Sequence, residues 1–102
     1  MPAPPAGAER QAIDATDTTM KSVYFAWVRE RIGKTGEDIA PPAAVVTIGD
    51  LIAWLSRRGE GYAHAFENPG VIYAAIDRTR VGHDATIAGA GEIAFFPPMT
   101  GG

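Results

Sequence analysis

The sequence predicts an α+β roll, in which a mixed sheet packs on one main helix. Three observations carry this. A single strongly amphipathic helical stretch, Thr47 to Gly59, follows two strand-like segments and precedes three more. The first and last of these segments are the most apolar, which places them side by side at the sheet centre as parallel neighbours. The chain has 102 residues, with 46% hydrophobic and 21% charged side chains, the size and balance of one small soluble domain. One helix layered on one sheet is a stable way to bury a core of that size.

Taken in order, Met1 to Thr19 holds Pro2, Pro4 and Pro5, several alanines, and Ile13 as its one large aliphatic residue after Met1. Such a segment buries too little apolar surface to offset its ordering entropy, so residues 1–19 read as a disordered leader ahead of a domain spanning 20–102. It lacks the apolar h-region and basic n-region of a secretory signal. Ser22 to Val28 is rich in β-branched and aromatic residues and reads as the first strand, with Val23, Phe25 and Trp27 on one face and Tyr24 and Ala26 on the other. Arg29 to Ile32 forms a helical turn stopped by Gly33. Glu37 to Ala40 reads as a short second strand ended by Pro41-Pro42.

Thr47 caps the main helix, with Asp50 three residues on. Ile48, Leu51, Ile52 and Leu55 then recur at i, i+3, i+4 and i+7, and Arg57 and Arg58 complement the dipole in a last turn that ends near Gly59. Trp54 falls off the apolar stripe. Gly61 to Asn68 reads as a loop with a helical turn. Val71 to Ile76 is a buried strand, Asp77-Arg78 a link, and Thr79 to Val81 a short edge strand. Gly89-Ala90-Gly91 turns the chain into the last strand, Glu92 to Phe96, which Pro97-Pro98 terminates by removing backbone donors.

Composition excludes several functions. With no cysteine there is no disulfide framework, thiolate metal site, catalytic thiol or persulfide carrier. A net charge of -3 without a basic stripe argues against nucleic acid as partner. No apolar run approaches the roughly 20 residues of a membrane span, so the expected location is the cytoplasm. Gly89 to Ala94 matches G-x-G-x-x-A, but it precedes a strand instead of opening a helix, so it reads as a turn. His64 and His83 stand far apart without partners at ligand spacing, and no metal site is expected. Asp77 and Asp84 read as turn residues, Arg29-Glu30-Arg31 as a solvated turn, and Ser56 has no nucleophile-elbow context. No internal side chain is a good catalytic candidate.

The C-terminal stretch is chemically distinctive. After Pro98 no residue is charged, and the sequence finishes Met99-Thr100-Gly101-Gly102. Four residues reach about 13 Å at about 3.3 Å each. Glycines pass a narrow channel without Cβ clashes, and an uncharged tail enters a pocket without desolvating a charge. A terminal carboxylate activated as an acyl-adenylate is open to attack by sulfur, giving a thiocarboxylate, or by an amine, giving an amide.

Val23 to Glu30, the Thr47 to Leu55 helix and above all Ile93 to Gly102 (Ile-Ala-Phe-Phe-Pro-Pro-Met-Thr-Gly-Gly) resemble the small, sulfur-carrier subunits of molybdopterin synthases, over Met20 to Gly102. The resemblance implies a ubiquitin-like β-grasp fold and a chain that is not catalytic by itself. It implies that a ubiquitin-activating-like adenylyltransferase uses ATP and Mg²⁺ to activate the Gly102 carboxylate, and that sulfur then replaces the adenylate. The tail of Thr100, Gly101 and Gly102 would insert into the large synthase subunit, in a heterotetramer of two small and two large chains, and donate sulfur to cyclic pyranopterin monophosphate. No cofactor is expected on this chain itself. The docking patch implied by the resemblance comprises Phe25, Arg80, Phe96, Pro97, Pro98 and Met99. Arg80 departs from it, since many relatives carry an apolar residue there, and this points to a polar or ion-pair contact. Phe25 and Phe96 also admit a reading as core, and one of Phe95 and Phe96 must be core, because strand neighbours face opposite ways. Alternatives are a β-grasp carrier for thiazole synthesis or RNA thiolation, a ubiquitin-like modifier, and a plain interaction domain.

Overall fold

A computed structural model describes residues 19–98. Its elements run β1 (Met20–Tyr24), α1 (Ala26–Ile32), β2 (Gly36–Ile39), α2 (Ile48–Ser56), α3 (Glu60–Ala65), a 3₁₀ turn (Pro69–Val71), β3 (Tyr73–Ile76), β4 (Thr79–Val81) and β5 (Glu92–Phe96). The strands form one sheet in the order β2-β1-β5-β3-β4. β1 and β5 pair in parallel near its centre, as expected, and every other pairing is antiparallel.

The first strand is shorter than its sequence predicts. It ends at Tyr24, and the aromatic and β-branched run continues as helix. Phe25 makes the change of direction: its N–H still donates to the Phe95 carbonyl across the sheet, while its own carbonyl accepts from Val28 and Arg29 as the first acceptor of α1. Ala26 takes up the corner at φ 54. Burial of Val28 in the core outweighs strand propensity here. Gly33 closes α1 at φ 89, donating to the Arg29 carbonyl, a left-handed conformation that suits glycine.

The main helix starts as predicted. The Thr47 hydroxyl accepts from the Asp50 N–H, and the Asp50 carboxylate accepts from the N–H groups of Thr47 and Val46. Those two donors hold the Asp50 carboxyl below its ordinary range. The helix stops at Ser56, so Arg57 is its cap and Arg58 lies beyond it, not in the last turn. Val71 belongs to the 3₁₀ turn and β3 begins later, at Tyr73. Asp77 and Arg78, at φ 48 and 75, form a two-residue hairpin turn whose backbone matches strand twist. The Asp77 carboxylate also accepts from the N–H groups of Gly91 and Glu92, tying that turn to the start of β5.

The inner face of the sheet packs on the helices. Ile48, Leu51, Ile52 and Leu55 of α2 meet Tyr24, Ile93 and Phe95 in one apolar cluster. Phe95 lies stacked at 6.3 Å from Tyr24 and edge-on at 5.4 Å from Phe66. Trp54 packs on the flank of this core, with the Arg58 guanidinium over its ring at 5.2 Å.

Candidate docking face at the root of the C-terminal tail

Pairing registers sort the outer face of the sheet into three rows. At one end Asp38, Lys21 and Glu92 make a charged row. The middle row runs Gly36, Val23, Ala94, Ala75 and Arg80, small and apolar until its last member. At the other end Phe96 pairs with Tyr73, and Phe25 flanks Phe96 one step beyond the Tyr24–Phe95 pair. This aromatic row borders the point where β5 leaves the sheet.

Alternation along β5 decides which aromatic does what. Phe95 is fully buried, whereas Phe96 points to the outer face and is half-buried. The Phe96 ring meets Tyr73 edge-on at 5.9 Å, and the Arg80 guanidinium lies 4.1 Å over the Tyr73 ring. Phe25 is 46% exposed, one of two large hydrophobic side chains so exposed among the described residues. Pro97 is buried and Pro98 half-buried, so the exit from the sheet is packed and fixed in φ. Of the residues expected to bind a partner, Phe25 and Phe96 thus share this end of the outer face, Arg80 reaches it from the middle row through Tyr73, and Pro97 and Pro98 follow at the exit with Pro97 turned inward. Met99, Thr100, Gly101 and Gly102 lie outside the described residues, as do residues 1–18 of the leader.

Two features escape the sequence reading. Tyr73 was part of a segment read as wholly buried, because Val71 to Ile76 is apolar throughout and alternation gives no face. The second is a polar hub centred on Glu37, which pairs with Ser22 and is reached by the Tyr24 hydroxyl. Glu37 Oε2 accepts from the hydroxyls of Tyr24 and Tyr62, each at 2.7 Å, and Oε1 accepts from Lys34 Nζ at 3.0 Å. Arg58 stands 3.6 Å from Oε2. Burial alone would raise the Glu37 carboxyl, but these donors, with the Arg58 charge, hold it below the usual range. Burial pushes the Tyr24 hydroxyl well above its ordinary range, and the adjoining carboxylate adds to that. The hub ties β1, β2, α3 and the segment after α2, and so braces the strand that leads to Phe25.

Neither histidine belongs to the aromatic row. His83 Nε2 lies 2.6 Å from the Ile72 carbonyl, and His64 is exposed on α3. An apolar groove of about 510 Å³ between Met20, Val45, Val46 and Ile87 sits at the opposite end of the sheet from the aromatic row. No helix among the described residues is long and apolar enough to cross a membrane.

Comparison with known proteins fits this geometry. The sequence profile of the ThiS family matches residues 23–102. The molybdopterin synthase sulfur carrier subunit of Escherichia coli (strain K12) is 35% identical over 83 residues, covering 81% of this chain and 99% of that protein. Its namesake in Haemophilus influenzae is 34% identical over 80 residues, covering 78% and 95%. Among solved structures, a putative molybdopterin converting factor, subunit 1, from Pyrococcus furiosus superposes with a TM-score of 0.63 at 23% identity, covering 79% of this chain and 98% of that one. Small archaeal modifier protein 1 of Haloferax volcanii gives 0.61 at 22%, covering 79% and 98%. The fold is therefore a ubiquitin-like β-grasp.

Proposed function

The chain belongs to the ThiS family, and from that premise we propose that it is the sulfur carrier of a molybdopterin synthase. The reacting atom is the Gly102 carbonyl carbon. An adenylyltransferase with ATP and Mg²⁺ converts the carboxylate to an acyl-adenylate and releases pyrophosphate. Sulfide, or a persulfide sulfur, attacks the carbonyl carbon and AMP leaves; sulfide gives the thiocarboxylate directly, and with a persulfide a donor thiol cleaves the acyl disulfide, leaving the thiocarboxylate and a donor disulfide. Docked on the large synthase subunit, the thiocarboxylate sulfur passes to cyclic pyranopterin monophosphate. Two such transfers supply the dithiolene of molybdopterin.

The observation that carries this reading is the placement of the tail's root. Pro97 and Pro98 leave the sheet beside the aromatic row, so a partner bound to Phe25, Phe96 and Tyr73 lies against the segment that leads toward the C-terminus. That geometry suits a carrier: the fold supplies docking surface and reach, and the partner supplies catalytic side chains. The absence of cysteine agrees, because the sulfur rides on a main-chain carbonyl. The family match extends through Gly102, the residue to which the chemistry is assigned.

Reconstitution with the adenylating enzyme, a sulfur donor and the large subunit tests it. Wild-type protein should support molybdopterin formation. Deleting Gly102, or adding one residue after it, moves the reacting atom by about 3.3 Å and should abolish transfer while the melting curve stays unchanged. Normal product from either variant would overturn the assignment.

A further inference from the structure

One charge on the open face of the sheet stands among apolar and aromatic groups, with no counter-ion among the described residues. Arg80 is exposed on β4, at the end of the row that runs through Val23, Ala94 and Ala75. Among the described residues no carboxylate lies within ion-pair distance of it. Arg31 pairs with Glu67, while Lys34 and Arg58 pair with Glu37. The acids of this face, Asp38 and Glu92, belong to the row at the far end. Nor does Arg80 donate a side-chain hydrogen bond to any described residue.

Its guanidinium lies 4.1 Å over the Tyr73 ring, and Tyr73 is in turn held edge-on by Phe96. This contact holds the guanidinium against the ring, and no described residue accepts from its N–H donors. A stacked arginine has already lost much of the rotamer freedom that an ion pair would otherwise cost, and its planar fork matches a carboxylate with two parallel bonds. The apolar strip beside it excludes water once covered, which strengthens a charge pair at that position.

We propose that Arg80 is the charge-recognition element of the docking face, receiving the carboxylate of an acidic side chain on the large synthase subunit. This rests on the sulfur-carrier reading and adds a requirement to it: the partner presents an acid opposite the Arg80–Tyr73 stack, next to the apolar surface that covers Phe96. Lysine at this position would keep the charge but lose the fork and the stack. Leucine would keep apolar cover and lose the charge.

The test is titration of the full chain with its large subunit across a range of salt concentrations, with melting curves recorded alongside. Wild-type affinity should fall as salt rises. Arg80→Glu should weaken binding by roughly tenfold or more at low salt. Arg80→Leu should flatten the salt dependence, and Arg80→Lys should fall between wild type and Leu. Single carboxylate-to-lysine changes on the large subunit should include one that restores binding to Arg80→Glu. Should Arg80→Glu fail to fold, Arg80→Leu carries the same comparison. If Phe96→Ala weakens binding while Arg80→Glu and Arg80→Leu match the wild type in affinity and salt slope, the charge-recognition role is wrong and the docking reading survives. If the wild type does not bind the large subunit at all, both fall.

Discussion

Phe96 lies opposite Tyr73 across the β3–β5 pairing, and the two rings meet edge-on at 5.9 Å on the outer face of the sheet. Its neighbour Phe95 points the other way, into the core between Tyr24 and Phe66. Two adjacent phenylalanines thus have separable energetic roles. Phe95→Ala should cost about 3–5 kcal/mol of stability. Phe96→Ala should cost less, about 1–2 kcal/mol, from one aromatic pair and its half-buried area. An aromatic anchor at an interface is worth about 2 kcal/mol, so Phe96→Ala should weaken binding to the large subunit roughly 30-fold. Melting curves and affinities of the two variants check this together, and the reverse ranking would place Phe96 in the core.

The Glu37 hub gives stability a defined pH dependence. The folded-state carboxyl is held below its ordinary value of 4.5, so the folded protein binds fewer protons than the unfolded chain in the window between the two values. Its contribution is full above the unfolded value and is lost as pH falls through the folded one. Glu37→Gln should flatten the acid limb of a stability–pH profile measured by chemical denaturation. Glu37→Ala, which strips an acceptor from the hydroxyls of Tyr24 and Tyr62, should cost about 2 kcal/mol at neutral pH. A Glu37→Gln profile that overlays the wild type would remove the hub from the account.

Thr47 satisfies an otherwise unpaired N–H at the start of α2. Thr47→Ala should destabilise the fold by about 1 kcal/mol, and Thr47→Ser by much less. Equal losses from the two would mean that the methyl group, not the hydroxyl, matters.

Helices α1 and α3 pack closely at Gly61, where a Cβ would stand 2.6 Å from the Arg31 carbonyl oxygen. Gly61→Ala should therefore cost about 1–3 kcal/mol by forcing the helices apart, despite alanine's better helix propensity. A stabilised variant would show that α3 shifts freely.

What the sequence revealed follows from the range of the interactions involved. The capping box at Thr47, the α2 stripe, the Asp77-Arg78 turn and β5 rest on local periodicity or turn chemistry, and each is where the residues predict it. The central parallel pair was expected from the apolar run Ser22 to Val28, of which only Ser22 to Tyr24 lies in β1; the pairing is as expected although β1 itself is less apolar than β3. The Phe25 corner was not, since Ala26 to Val28 has strand composition and only core burial of Val28 turns it into helix. Tyr73 on the open face was hidden by an unbroken apolar run. The Glu37 hub joins residues distant in sequence, such as Tyr62, and no local spacing announces it.

The central claim, that Gly102 carries sulfur, is tested most directly by the intact mass of the protein purified from its own host under conditions that preserve thioacids. A fraction of the chains should be heavier by the exchange of one oxygen for sulfur. That difference should map to the C-terminal residue and vanish when Gly102 is deleted. A wholly unmodified carboxylate in cells actively making molybdopterin, in a strain where this chain is the sole carrier, would contradict the account.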